Sequence, residues 1–186
     1  LIPFHRFITS VGGIIGNLIA PKINKKFNSR IMTVASSIIS GGFFIFAKFV
    51  SLQPYLFMAA STLAGIANGV LFSTIVALYS DTIVYGEWKT GKNASGFIMG
   101  LMNVPLKVAK MSNGIVLTSA LASIGFVAGI TPTAALNPGI INISELIPAA
   151  SLILCGLLIL FGFRLTEDKI EQMQREINTR KQEITA

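Results

Sequence analysis

Residues 55–80, YLFMAASTLAGIANGVLFSTIVALYS, form an apolar run of 26 residues without one charged side chain. About 20 helical residues are enough to span the hydrocarbon core of a bilayer, which is about 30 Å thick. The run is too long for a β-strand and shows no alternation with period two. Pro54, which directly precedes it, suits the first turn of a helix, where its missing N–H costs no hydrogen bond. The stretch therefore predicts a transmembrane helix.

Four further apolar segments resemble it, so the chain has five predicted spans. We expect the first to end at Pro21. The fourth is too long for a perpendicular span, and we expect it to be tilted or broken near Pro105. The fold class predicted is all-α, a polytopic transmembrane helix bundle. The five predicted spans are 4–20, 31–50, 55–80, 94–129 and 146–163.

The composition of the 186-residue chain agrees with a membrane protein. Hydrophobic residues make up 52% and charged residues 12% of the chain, whereas soluble domains average about 25% charged residues. The mean hydropathy is +0.69. A soluble core of this size is too small to hide so much apolar surface, so we expect lipid to cover it.

The positive charge is arranged as in a membrane protein. The net charge of +7 is compatible with nucleic-acid binding, but the basic residues stand in short clusters between the apolar segments. Eleven Lys and Arg residues fall in 22–30, 81–93 and the tail from 164, against Lys48 alone on the opposite side. By the positive-inside rule these three segments and the C-terminus are cytoplasmic, and no nucleic-acid partner is expected.

The tail 164–186 forms a separate predicted element. Thr166 is a suitable helix cap, and Glu167 and Asp168 follow it in the first turn, where negative charge is favourable. We interpret the tail as an amphipathic helix lying against the cytoplasmic surface. A regulatory or partner-binding helix is the alternative. The apolar positions at helical spacing are Ile170, Met173 and Ile177.

No motif of an enzyme or of a metal site is visible. The sequence has no GxSxG, no HExxH and no phosphate-binding loop. His5, the one histidine, has no Cys, Asp or Glu near it that would complete a metal site. Cys155 lies in an apolar run and has no second cysteine to pair with. We expect no enzymatic activity, no metal and no cofactor.

Lys107 and Lys110 are unusual because both fall inside the fourth predicted span, where a charge costs at least about 2.5 kcal/mol. Their spacing of three places them on one helix face, which Asn103 and Gly114 extend. No Asp or Glu falls within any of the five predicted spans. We therefore expect the counter-charge to come from substrate, water or another part of the protein. Snorkelling to a headgroup region is the alternative.

The span 55–80 carries further candidate residues. Phe72 is an aromatic side chain that either stacks on a sugar ring in a cavity or faces lipid. The polar neighbours Asn68, Ser73 and Thr74 are of the kind that hydrogen-bond across helices. Four GxxxG pairs indicate close helix packing, and they stand at Gly12 and Gly16, Gly65 and Gly69, Gly96 and Gly100, and Gly125 and Gly129.

The stretch 81–92, DTIVYGEWKTGK, resembles the loop between helices ten and eleven of the glycoside–pentoside–hexuronide:cation symporters. These form the melibiose-permease-like branch of the major facilitator superfamily. The core YGEWKTG at 85–91 is the most specific part. The basic run after Pro21 is similar to the loop after helix eight, and LTEDK at 165–169 is similar to the C-terminus of the family. By this resemblance the five spans are helices eight to twelve of twelve.

The resemblance also implies roles for single residues. Lys107 matches a lysine of the substrate cavity, Asn103 a polar position that contacts sugar, and Phe72 a position where a tryptophan stacks on sugar. The cytoplasmic loops would form a gate. The gate residues expected are Asp81, Tyr85, Glu87, Lys89 and Lys22.

The function implied is sugar:cation symport by alternating access, in the inner (cell) membrane of a bacterium, with membrane lipid as the surroundings. We expect an N-terminal half of the same protein, because the chain opens with Leu1 inside an apolar segment. That half would hold the coupling cation, Na⁺ or H⁺. A drug or peptide carrier of the superfamily, a membrane enzyme and a sensor remain alternatives. The sensor is kept because 93–95 lack charges that are common in the family.

Overall fold

The computed structural model describes residues 2–24, 27–93, 95–127, 129 and 134–185, with only the backbone described for 2–6, 134 and 184–185. Within these residues every regular element is helical, which confirms the all-α prediction. A short 3₁₀ turn, Ala134–Leu136, precedes the sixth helix. The helices are α1 (Ile2–Asn24), α2 (Ser29–Phe49), α3 (Pro54–Thr90), α4 (Ser95–Leu101), α5 (Asn103–Ser123), α6 (Asn137–Gly162) and α7 (Glu167–Thr185).

Four long helices pack side by side in the order α1, α3, α2, α6. Helix α3 contacts α1 and α2, and α2 in turn contacts α6. Helix α7 contacts α3, whereas α4 and α5 touch the rest sparsely. No residue of α5 is buried among those described. Apart from Ile177 of α7, the buried residues of the described chain therefore lie in the row of four helices.

Glycines allow α1 and α3 to cross at backbone distance. A Cβ placed on Gly65 would lie 2.6 Å from the carbonyl oxygen of Thr9. A Cβ on Gly16 or Gly69 would overlap the backbone of the facing helix. Two of the predicted GxxxG pairs thus face each other in this contact, and a larger side chain at either would push the helices apart.

Helix α2 buries a stripe of small hydroxyl residues between α3 and α6. The Ser40 hydroxyl donates a hydrogen bond to the Ala64 carbonyl of α3 over 3.0 Å. The Ser37 hydroxyl donates a hydrogen bond within its own helix, to the Thr33 carbonyl. A Cβ added to Gly156 of α6 would lie 3.2 Å from the Cβ of Ser37. Small side chains on both faces let α2 lie close to two neighbours.

Helix α3 is longer than predicted, because residues 81–90 are helical and were expected to be a loop. The helix ends at Gly91, whose φ of 70° is in the left-handed region that favours glycine. At 37 residues it is about 55 Å long and exceeds the bilayer core by several turns. The extension has no proline and packs against α7, so its backbone keeps helical hydrogen bonds.

The predicted span 94–129 is not one helix. It is interrupted at Met102, between α4 and α5, and α5 ends at Ser123. Pro105 has no N–H to bond the carbonyl of Leu101, so the turn before it is weakened. Gly125 and Gly129 adopt positive φ beyond the helix, so their GxxxG spacing is not a helix-packing motif. A Cβ added at Gly96 or Gly100 would meet no atom of a neighbouring element within 4 Å.

Two other predicted boundaries differ from the structure. Helix α1 continues past Pro21 to Asn24, since a proline near the end of a helix removes only one hydrogen bond. Helix α6 begins at Asn137 rather than at residue 146, with a proline in its first turn. The earlier start brings Glu145 inside the helix.

Three of the described helices are long and apolar enough to cross a membrane, namely Ser29–Phe49, Pro54–Thr90 and Asn137–Gly162. They overlap the predicted spans 31–50 and 146–163 and contain the predicted span 55–80. The predicted spans 4–20 and 94–129 are not among the three and stay predictions.

Candidate functional site

The C-terminal extension of α3 is held by α7 through polar contacts. Lys181 Nζ lies 2.7 Å from Glu87 Oε1, and only 12% of the Glu87 side chain is exposed. Trp88 Nε1 donates a hydrogen bond to Glu176 Oε2 over 2.6 Å. Arg180 donates a hydrogen bond to the carbonyl oxygen of Trp88 over 3.1 Å. We call these five residues the tail-docking cluster.

Helix α7 supports this cluster with one buried apolar residue and with ion pairs along its surface. Ile177, one turn after Met173, is 5% exposed. Arg175 and Glu171 form an exposed pair at 2.6 Å, and that hydrogen bond raises the pKa of Arg175. Because exposed pairs contribute little, the apolar contact and the contacts with α3 hold the tail in place. The tail is thus an amphipathic helix docked on protein.

The structure places four of the five predicted gate residues on the α3 extension. Glu87 pairs with α7, as described above. The Tyr85 ring lies 6.2 Å from the Trp88 ring, and Lys89 Nζ lies 5.9 Å from the centre of the Tyr85 ring. Lys22 is in the last turn of α1, and no ion pair in the described part of the chain includes it. Tyr85, Glu87 and Lys89 therefore share one neighbourhood, which Lys22 is not shown to join.

Asp81 lies in a separate cavity of about 330 Å³ where α2, α3 and α7 meet. Three of its lining residues carry carboxylates, Asp81, Glu167 and Glu171, and none of the lining residues is basic. The N-terminal residues of α2, Asn28 and Ser29, complete it on the other side, with Ile170 and Gln174. The contact joins the start of α2 to the tail, two segments predicted to lie on the same side of the membrane.

Phe72 lines a shallow groove of about 330 Å³ between α1 and α3. Its ring is 55% exposed. Asn17 and Asn68 add amide donors and acceptors, so the groove offers an aromatic face beside hydrogen-bonding groups. The remaining lining residues are Ser10, Gly13, Ile14, Gly65 and Gly69.

Asn103 and Lys107 lie one turn apart on α5, and both are exposed. The residues that line the groove at Phe72 come from α1 and α3 alone. The structure therefore keeps Asn103 and Lys107 together, but it does not bring them into the groove of Phe72. No ion pair formed by the described residues includes Lys107.

Sequence reasoning missed two features. The contacts of Trp88, Glu176, Arg180 and Lys181 were not foreseen, although the i,i+4 spacing of Glu176 and Arg180 on a helical tail is a visible signal. Glu145 was placed outside the fifth span, but it lies inside α6 and is 6% exposed. The structure thus places an acidic residue inside α6, one of the described helices long and apolar enough to cross a membrane.

Comparison with known proteins gives a consistent result. A sequence model of the family described as MFS/sugar transport protein matches residues 2–167. An uncharacterized symporter of Bacillus subtilis, YjmB, is 27% identical over 182 residues, which is 96% of this chain and 39% of that protein.

Two relatives from Escherichia coli are similar to the chain as well. A putative sulfoquinovose importer is 28% identical and aligns with 90% of this chain and 36% of its own length. A glucuronide carrier protein homolog is 29% identical and aligns with 67% of this chain and 27% of its own length. The chain thus spans between 27% and 39% of the length of these three relatives.

Proposed function

Because the chain belongs to the MFS/sugar transport protein family, we propose that it is part of a sugar:cation symporter that works by alternating access. Proteins of this family are transporters and not enzymes. In such carriers two halves rock about a site near the middle of the membrane. The substrate, a sugar or glycoside, binds between the halves together with a cation, and the cation gradient drives uptake.

The observation that carries the proposal is Lys107. Its ammonium group belongs to α5, a predominantly apolar helix whose other charged residue is Lys110, and it forms no ion pair with a described acidic group. A cation in a spanning helix is expensive unless a negative group or water meets it. An acidic group on the sugar, such as the sulfonate of sulfoquinovose or the carboxylate of a glucuronide, would supply that charge. Relatives named for these two compounds support this substrate class.

We assign Asn103 to hydrogen-bonding of sugar hydroxyls and Phe72 to stacking against the ring. Asn103 supports this role because it shares the exposed α5 face with Lys107. Phe72 supports it through its half-exposed ring beside Asn17 and Asn68. The two helices would approach each other only when the second half of the carrier completes the site.

The extension of α3 and the docked tail would form the cytoplasmic gate. Glu87, Tyr85 and Lys89 support this role by their shared neighbourhood. Asp81 supports it by joining α2, α3 and α7, and Lys22 would act from the end of α1. With Lys48 alone on the other side, the positive-inside rule places the gate and the C-terminus in the cytoplasm. The membrane would be the bacterial inner membrane.

The remaining partners follow from the family architecture. An N-terminal half of the same protein would supply the second set of six helices. Its carboxylates would hold the coupling cation, Na⁺ or H⁺, and lipid would cover the exposed apolar faces.

The test is uptake by the full-length protein in membrane vesicles. Lys107→Ala should abolish accumulation of the sugar while expression stays normal. The matched control is Lys92→Ala, which removes an exposed lysine beyond the end of α3 and should leave accumulation within about twofold. Normal accumulation by Lys107→Ala would rule out the assignment. If the carrier takes both kinds of sugar, Lys107→Ala should reduce uptake of an anionic sugar more than uptake of a neutral one.

A further inference from the structure

Glu145 lies on the face of α6 that packs against α2. It stands eight residues after Asn137, the start of the helix, and four before Ala149, which is also buried. Ala149 belongs to the α2 contact, because its carbonyl oxygen would lie 3.1 Å from a Cβ on Gly41. The same face continues to Gly156. Glu145 is therefore a helix-contact residue, and only 6% of its surface is exposed.

The carboxyl group of Glu145 has few partners. The Ser144 hydroxyl donates a weak hydrogen bond to Oε1 over 3.4 Å. The second oxygen, Oε2, is buried and has no hydrogen-bond partner. Most buried polar groups in proteins find at least one partner, so this oxygen requires an explanation.

Basic groups on α2 do not neutralise Glu145. Helix α2 carries two, Arg30 and Lys48. Arg30 is at the far end of the contact, where it donates a hydrogen bond to the Leu160 carbonyl. Lys48 Nζ lies 5.7 Å from the centre of the Phe49 ring. Neither forms an ion pair with Glu145 within 4.0 Å among the described residues.

The other described neighbours of α6 offer no counter-charge either. Helix α5 approaches α6 through Ile124, which lies against Gly139. The lysines of α5, Lys107 and Lys110, are at the other end of that helix and form no ion pair with Glu145. The 3₁₀ turn Ala134–Leu136 has no titratable side chain.

A charged carboxylate in such surroundings is unfavourable, because it is largely removed from solvent and no described cationic side chain pairs with it. A neutral carboxylic acid avoids that cost. We propose that Glu145 binds a proton at the α2–α6 contact and is neutral in the conformation described. A metal ion is a poor alternative occupant, since no group of three or more His, Cys, Asp or Glu suited to a metal is found within the described residues.

The proposal gives this part of the transporter a protonatable group of its own. It does not depend on sugar symport, and it is distinct from the carboxylates expected in an N-terminal half. Because the carboxyl lies in a close helix contact, water reaches it only when α2 and α6 separate. Release of the proton is therefore linked to movement between these two helices.

The test is infrared spectroscopy of the purified full-length protein in lipid at pH 7. An exposed glutamate has an ordinary pKa of about 4.3 and is ionised at that pH. The wild-type protein should show the carbonyl band of a protonated carboxylic acid, and Glu145→Gln should lose the part of it due to one carboxyl group. The control Glu183→Gln removes an exposed carboxylate of α7 and should leave the band unchanged. Loss of a carboxylate band in Glu145→Gln, with the acid band intact, would overturn the proposal.

Two further measurements cover the cases in which Glu145 is ionised by an ion pair or in which Glu145→Gln does not fold. If Lys48 held Glu145 ionised, Lys48→Met would make an acid band appear that wild type lacks, whereas the proposal expects no change. If Glu145→Gln does not fold, the absence of an acid band from the wild-type protein at pH 7 still contradicts the proposal. Lys107→Ala is expected not to transport, but it should keep the acid band. The protonation of Glu145 can therefore be tested even if the symport assignment fails.

Discussion

The row of helices α1, α3, α2 and α6 differs from α5 in how each meets its neighbours. The row buries small residues at its contacts, with glycines between α1 and α3 and serines between α2 and α3. Helix α5 buries no residue of those described, yet it carries two lysines, Lys107 and Lys110. Stability is therefore expected to depend mainly on the row, and recognition of a charged substrate mainly on α5. Stability should be sensitive to changes in side-chain volume in the row, and transport should be sensitive to changes of charge on α5.

The largest expected effect on stability comes from widening the α1–α3 contact. Gly69→Val would place side-chain atoms on the backbone of Gly13. Overpacking a core costs about 1–3 kcal/mol, and more where the backbone must move. We therefore expect Gly69→Val to lower the free energy of unfolding by at least about 3 kcal/mol. Thermal unfolding of the full-length protein in detergent measures it.

The matched control is Gly114→Ala on α5. Nothing lies within 4 Å of a Cβ at this position, and alanine is the better helix former by about 0.5–1 kcal/mol. The variant should be as stable as wild type or slightly more so. Equal destabilisation by both substitutions would contradict the difference between the two regions.

Sequence patterns alone predicted the row of helices well. The apolar run 55–80 lies within α3, and two GxxxG pairs, one on α1 and one on α3, meet in the structure. The family predicted from 81–92, the glycoside–pentoside–hexuronide:cation symporters, is confirmed by the match over residues 2–167 and by relatives named as symporters. Hydrophobicity and small-residue spacing are local signals, so these features could be predicted from the sequence.

The misses share a different cause, which is contact between distant segments. Residues 81–90 looked like a loop because charged residues interrupt the apolar run, but α7 packs along them and they stay helical. Glu145 looked like a loop residue because it precedes the apolar run 146–163. Its burial depends on α2, about 100 residues earlier in the chain, and no local pattern reveals such a neighbour.

The next largest effect concerns the tail-docking cluster. We expect the Glu87–Lys181 pair to contribute about 1 kcal/mol, the upper end for ion pairs near a surface, because Glu87 is largely shielded from water. A double-mutant cycle with Glu87→Gln and Lys181→Met measures the coupling energy. The exposed pair Glu171–Arg175 on α7 is the control, with about 0.3–0.5 kcal/mol expected. Equal coupling in both pairs would mean that the tail is not docked on α3 as described.

A smaller effect is expected from the hydroxyl contact between α2 and α3. Ser40→Ala removes the hydrogen bond to the Ala64 carbonyl, and interhelical bonds of this kind average about 0.6 kcal/mol in membranes. Ser151→Ala on α6 removes a hydroxyl that bonds only within its own helix and should cost less. A loss above about 2 kcal/mol for Ser40→Ala would show that this hydroxyl contributes more than a single interhelical hydrogen bond.

The smallest effect on stability should come from Lys107→Ala, the substitution expected to abolish transport. Lys107 is exposed and contributes to no buried contact of the described structure. Surface changes of this kind usually stay within about 0.5 kcal/mol, and removing a charge from a segment predicted to span the membrane offsets some of that. Thermal unfolding of the variant without sugar should match wild type, whereas the stabilisation that added sugar gives to wild type should be absent. If Lys107→Ala instead unfolds as readily as Gly69→Val, the lysine is a structural group, and the separation between a packed row and a binding helix does not hold.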